Sequence, residues 1–345
     1  MEITEHLGDL SDMETTHSFG DRAVLAFGKH IGKIFKYVPR VLKDHDPEDL
    51  HQLRVGVRRL RTAIIGFRSA VELPQGVTEK KVGKMGQKLG IQRDNDVLQE
   101  ILVHKYLPHL PTSEQACLEK VLKRLQKERK QTFKATYKLL THDRFTRFQR
   151  SWEVWLEYPQ LTTLSGLAIA DVLPDLLLPQ LSQFFLHPGW LVGTEIDRDT
   201  NSSTRQRHCI DLSPSAIATL LDGEELILHD LRKEAKRTRY QMELFSDYYG
   251  EEYQQLLAQV KMTQEILGNL QDSFVLRAMV EQYLDVDLKQ ICPQWNAIFH
   301  GDRLGYWAQW QPLQSQLIDP DYRHQCRQLL QNPLVNSDQS TPSNL

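Results

Sequence analysis

Two stretches of this chain place histidine, arginine and lysine at helical spacing. The first is His51-Gln-Leu-Arg54-Val-Gly-Val-Arg58-Arg59-Leu-Arg61. The second is His229-Asp-Leu-Arg232-Lys-Glu-Ala-Lys236-Arg237-Thr-Arg239, 178 residues later. A guanidinium presents two parallel N–H donors to the oxygens of a phosphate or carboxylate, and an ammonium supplies a point charge. An imidazole adds a donor once protonated. The chemistry on offer is therefore the holding of anions. A second word keeps the same offset: Leu89-Gly90 with Asp94 and Val97-Leu98 recurs as Leu267-Gly268 with Asp272 and Val275-Leu276. Two words in fixed register indicate a duplicated unit.

At 100° per residue, Leu53, Val57, Leu60, Ile64 and Phe67 share one face of the first stretch, and His51, Arg54, Arg58 and Arg61 line the face beside it. In the second, Leu231, Ala235, Thr238, Met242 and Phe245 form the apolar face, and His229, Arg232, Lys236 and Arg239 form the basic one. Both stripes are read as lacking the carboxylates four residues on that neutralise a solvated helix face. Three further rows of cations keep three- and four-residue steps: Lys29, Lys33, Lys36 and Arg40; Lys81, Lys84 and Lys88; and Lys120, Lys123, Lys127, Lys130, Lys134 and Lys138. The last covers about 27 Å of helix. Like-charged rows on adjacent helices repel unless an anion lies among them, so the rows of the first half are expected to share one groove suited to a linear anion. Asp94 and Asp272 are expected to pair with an arginine of the preceding helix through a two-pronged hydrogen bond, and Gly90 and Gly268 to permit close helix packing.

The elements that must position these groups are helices. Val24, Phe27, Ile31, Ile34, Val38 and Val41 recur at helical steps. Asp46-Pro47-Glu48 supplies a cap and a first-turn proline for the helix carrying His51, and Thr112-Ser113-Glu114 reads as the cap of a helix over about 113–141. Further helices are expected over about 78–106, 223–248, 251–283 and 294–331. Strand signals are nearly absent. Five segments follow: a polar leader over 1–18, a first bundle of about four helices over 19–150, connecting helices and a loop over 151–212, a second bundle over 213–331, and a disordered tail over 332–345.

Charge divides the same way. Residues 19–150 hold 28 Lys and Arg against 14 Asp and Glu; the rest of the chain holds 14 against 31. That split reads as a basic binding region carried by an otherwise acidic protein. Four scattered cysteines with no CxxC pair argue against a thiolate metal site and for a reducing compartment. With no secretory leader and no long apolar run, the chain reads as a cytoplasmic protein that does not span a membrane.

The words His51-x-x-Arg54-x-x-x-Arg58-Arg59-x-Arg61 and Leu89-Gly90-x-x-x-Asp94, with their repeats at His229 and Leu267, resemble the CHAD family, the conserved-histidine α-helical domain. The resemblance covers about residues 19–331. It implies an all-α fold of two helical bundles related by a pseudo-two-fold duplication, around a basic central groove or pore that binds inorganic polyphosphate. It carries a binding role onto His51, Arg54, Arg58, Arg59 and Arg61 and onto His229, Arg232, Lys236, Arg237 and Arg239. Beside it, the rows Lys29, Lys33, Lys36; Lys81, Lys84, Lys88; and Lys123, Lys127, Lys130, Lys134 are assigned to the same ligand from their spacing. Shifting the longest row by 178 residues leaves only His300 and Arg303 as basic counterparts, so the first half is expected to dominate.

The expectation is a non-catalytic polyphosphate-binding protein with no cofactor and no metal, with targeting to polyphosphate granules as one role that fits. Nucleic acid is the weaker alternative, because aromatic residues are not interleaved with the basic rows as base stacking requires. A metal-dependent phosphohydrolase or phosphotransferase is weaker still: neither His51 nor His229 has metal-ligand spacing or an acidic cluster beside it.

Overall fold

The computed structural model describes residues 18–196 and 207–334, and the architecture is all-α. The leader up to residue 17 and the tail from 335 lie outside the described residues. The chain divides into two compact units: 18–166 with Asn269–Tyr306, and Leu167–Gly268 with 307–334.

The first unit holds α1 (Phe19–Val41), α2 (Pro47–Gly66), α3 (Glu79–Ile101), α4 (Thr112–Leu140) and α5 (Asp143–Glu157). It also takes the C-terminal part of α9 (Glu251–Leu284), the short α10 (Leu288–Ile291) and the first part of α11 (Pro293–Ile318). Asp46 caps α2 by accepting from the Glu48 amide at 2.8 Å. The expected cap of α4 is corrected: Pro111 holds the N-cap position without a side-chain bond. Glu114 is instead buried and accepts from the amides of Gln294 and Trp295 at 3.0 and 2.9 Å, placing its charge at the N-terminus of α11.

Two aromatic centres anchor this unit. Phe27 meets Trp152 and Trp155 with ring centroids 5.3 and 5.4 Å apart. A second centre packs Tyr106, Leu118, Val121 and Leu125 against Leu276, Val280, Trp295 and Phe299. Arg129 of α4 ties the α1–α2 turn down: it donates to both carboxylate oxygens of Asp44 at 2.6 Å and to Asp96 at 2.9 Å. Asp44 holds a left-handed backbone (φ 53°), which turns the chain from α1 into α2.

The second unit contains α6 (Ile169–Phe185), α7 (Pro214–Gly223), α8 (Glu225–Leu244), the N-terminal part of α9, the C-terminal part of α11, and α12 (Pro320–Gln331). The single helix expected over 294–331 is divided at Asp319-Pro320, where Asp319 caps α12 by accepting from the Tyr322 amide at 2.8 Å. The polar run read as a loop over 195–207 begins and ends in short antiparallel strands, β1 (Thr194–Ile196) and β2 (Arg207–Cys209). Stacked Trp190 and Trp310, centroids 5.2 Å apart, lie in this unit's core with Leu231, Ala235 and Met242.

Candidate functional site

The two motif helices end at equivalent places. α2 runs Pro47–Gly66 and α8 runs Glu225–Leu244, so both boundaries keep the 178-residue offset. In both, the apolar face read from the sequence is buried: Leu53, Val57, Leu60, Ile64 and Phe67 in one, Leu231, Ala235, Thr238, Met242 and Phe245 in the other. Burial of that face fixes the rotation of each helix, and the rotation sets where the cations stand.

On α2, His51, Arg54 and Arg58 are half-buried and Arg59 and Arg61 exposed. Their neighbours show which cations come together. Burial lowers the Lys33 ammonium, and Arg59 and Arg58 lower it further. His30, 7% exposed on α1, is held down to about 4 by burial and then by Arg59, Lys29 and Lys33. Burial also lowers His51, against the pull of Glu48, and Arg93, Arg58 and Arg54 add to the lowering. Cations from α1, α2 and α3 thus lie within Coulombic reach of one another. Tyr37 gathers more of them: Lys33, Lys36 and Arg40 stand 6.0, 5.9 and 5.4 Å from its ring centroid.

Arg54 is anchored by one nitrogen. Its Nη1 donates to the Gly90 carbonyl at 2.9 Å and to Asp94 at 3.0 Å, in place of the two-pronged bridge expected from the sequence. Gly90 is buried because the guanidinium lies against it: a Cβ there would sit 3.4 Å from Nη1. Gly268 repeats the device, with a Cβ position 3.3 Å from Nε of Arg232. These glycines make room for an arginine rather than for a helix backbone. Asp272 follows Gly268 by four residues on α9, as Asp94 follows Gly90 on α3, and is exposed.

Arg61 donates to Glu79 and forms, with Lys80, Lys84 and Gln87, a shallow groove between α2 and α3. The row Lys81–Lys84–Lys88 does not act as one: Lys81 turns back to the Gly76 carbonyl at 2.6 Å, while Lys84 joins Arg61 and Lys88 is exposed.

On α8 the expectation of an unneutralised stripe is overturned. Arg239 pairs with Glu243 four residues on, at 2.6 Å, and also reaches Gln264 at 3.3 Å. Arg237 pairs with the buried Glu234 at 2.8 Å, and Lys233 with Asp230 at 2.5 Å. His229, Arg232 and Lys236 are half-buried. Arg303, a proposed counterpart of the long lysine row, is 6% exposed with its guanidinium over the Phe274 ring at 4.1 Å.

The long row itself stands apart. Counting from Leu125, all six lysines from Lys120 to Lys138 fall between about 140° and 220°, opposite the buried Leu118, Val121 and Leu125. Lys123, Lys127, Lys130 and Lys134 are exposed with no ion pair among the described residues. No described contact joins them to the cations of α1–α3. Aromatic residues do border this row, contrary to the sequence reading: Phe133 and Tyr137 lie beside it, ring centroids 6.2 Å apart.

Sequence reasoning missed Arg93, Lys80 and Tyr37. Arg93 follows Gly90 by three residues and Lys80 precedes Lys84 by four, both signals present in the sequence; Tyr37 follows Lys33 by four but carries no charge to mark it as part of a cation row. Among the described residues, no three His, Cys, Asp or Glu side chains gather as a metal-binding group, and no helix is long and apolar enough to cross a membrane.

Comparison with known proteins follows this geometry. No curated protein matches the chain. Among solved structures, the crystal structure of the CHAD domain from the plant Ricinus communis is similar, at 23% identity and a TM-score of 0.50, covering 92% of this chain and 94% of that one. PptA from Streptomyces chartreusis is similar at 13% identity and a TM-score of 0.56, covering 92% of this chain and all of that one. At those identities the likeness concerns the fold. The family model described as the CHAD domain matches residues 25–281, which is most of the chain. This protein belongs to the CHAD domain family.

Proposed function

We propose that the protein binds inorganic polyphosphate, without turning it over, through cations of α1, α2 and α3. The observation that carries this reading is the crowding of cations: beyond burial, Arg59 and Arg58 lower the Lys33 ammonium, and Arg93, Arg58 and Arg54 lower His51. Crowded cations raise the energy of the empty site, and a dense linear anion relieves it. Arg54, fixed by Gly90 and Asp94, keeps its remaining donors pre-aimed. The resemblance of the His51 and Gly90 words to the family motifs supports the same ligand. Placement at polyphosphate granules would follow from such binding.

The test is calorimetric titration with short polyphosphate at several salt concentrations and pH values. The logarithm of affinity should fall steeply and linearly with the logarithm of salt, as expected when several phosphates are neutralised at once. Phosphate beside His51 reverses the sign of its surroundings and raises its protonation, so binding should take up protons and strengthen as pH falls. A shallow salt slope, or release of orthophosphate on adding Mg²⁺ or Mn²⁺, would refute the reading.

A further inference from the structure

The outer face of α4 is left without a role by that site. Between residues 120 and 138 its only acid is Glu128, which already accepts from the Tyr283 hydroxyl and lies 3.7 Å from Arg124. Glu119, four residues before Lys123, stands at the row's N-terminal end, and from Lys127 to Lys138 the lysines have no ion pair among the described residues. Like charges three and four residues apart destabilise a helix, and one glutamate at an alternate position would relieve them. Beside the cations stands an aromatic pair. Tyr137 is 48% exposed and Phe133 half-buried, and their rings meet edge-on at 66°. Phe133 supports the Tyr137 ring while leaving part of it open to solvent. A solvated face has no use for an open ring next to a self-repelling charge row.

We infer that this face of α4 is a second binding surface, for single-stranded nucleic acid: the lysines follow the phosphate backbone and Tyr137 stacks an unpaired base. The row recurs at about one lysine per helical turn, which suits a backbone whose phosphates are separated by sugars better than one of directly linked phosphates. Polyphosphate has no group to lay on an aromatic face, and a duplex keeps its base faces inside the stack. A single strand offers both backbone charge and free rings. Recognition of this kind is independent of base identity, since every base has a π-face. No described contact joins this row to the α1–α3 cations, and the inference does not depend on polyphosphate binding there.

The test is fluorescence anisotropy with a fluorescein-labelled oligouridylate at low salt, on the full chain. Wild-type protein should bind, more weakly as salt rises. Replacing Lys123, Lys127, Lys130 and Lys134 together by Gln should cost at least about tenfold, and Tyr137→Leu about fivefold, the low end for one stacked base. Tyr137→Phe should restore binding, because the ring and not the hydroxyl is used. Arg59→Gln, in the α2 stripe, should leave oligouridylate binding unchanged, and Tyr137→Leu should leave short-polyphosphate binding unchanged. The inference is overturned if wild-type protein does not bind, if Tyr137→Leu binds as wild type, or if the loss follows Arg59→Gln. Loss of polyphosphate binding from the four-lysine variant, with Tyr137→Leu neutral toward both ligands, would instead make the row a polyphosphate track.

Discussion

α2 and α8 are the same helix written twice with different electrostatics. Both are 20 residues long, both bury the same apolar line, and both lay an arginine over a glycine of another helix. They differ in where their acids stand. In α2, Glu48 and Asp49 occupy the first turn, where carboxylates favour the helix N-terminus, and beyond them Arg54 and Arg61 meet acids of α3 while Arg58 and Arg59 lie near Lys33. In α8, Asp230, Glu234 and Glu243 are interspersed and pair with Lys233, Arg237 and Arg239. Packing resists change because a buried side chain touches many others, whereas a surface charge can be offset by one nearby substitution. The features that recur are accordingly those that packing holds, and the placement of the acids is what differs between the copies.

The comparison breaks most sharply under parallel substitution. Arg54, Arg58 and Arg59 changed together to Gln should weaken polyphosphate binding roughly a thousandfold, taking about 1.5 kcal/mol for each charge-assisted contact. The matching change of Arg232, Lys236 and Arg237 should cost less than about tenfold. Calorimetry on both variants decides, and equal losses would make the two stripes equivalent. Acid should expose the burial of His30, and after it the cations beside it, in the folded state itself. The folded chain holds His30 near 4, while the unfolded chain protonates it at its ordinary value of 6.5. Stability from this residue is full above pH 6.5 and is lost as pH falls toward 4, up to about 3 kcal/mol. Urea denaturation across that window should show the slope in wild type and a flatter one in His30→Gln. The glycines give a smaller contrast. Gly90→Ala gains helix propensity, up to about 1 kcal/mol, and its Cβ meets the Arg54 guanidinium at 3.4 Å, an ordinary contact. It should keep or raise the Tm in thermal denaturation with Arg54 still seated and polyphosphate affinity unchanged; Gly268→Ala, 3.3 Å from Arg232 Nε, should gain less.

Much of this was legible in the sequence because it follows from periodicity. The buried line of each motif helix, the Asp46 cap and the α2–α8 register are properties of residue spacing. Asp94 could be expected to pair with an arginine of the preceding helix because it stands in a basic bundle, while the choice of Arg54 depends on how α2 and α3 meet. What could not be read depends on how separate helices meet. The α4 row has the same spacing as the α1 row, yet Leu118, Val121 and Leu125 turn it outward, and no single-helix pattern says which outward face lies near another. Glu243, the partner of Arg239, lies four residues on and beyond the end of the basic word. The role of Glu114 at the start of α11 spans 180 residues and has no local signature.

The central claim is that polyphosphate lies among the α1–α3 cations and favours the first copy. Lysine acetylation mapped by mass spectrometry, with and without saturating short polyphosphate, reads this directly at single residues. The account predicts strong protection of Lys33 and Lys36 and little at Lys236. Protection of Lys236 equal to or greater than that of Lys33, or no change at Lys33, would contradict it.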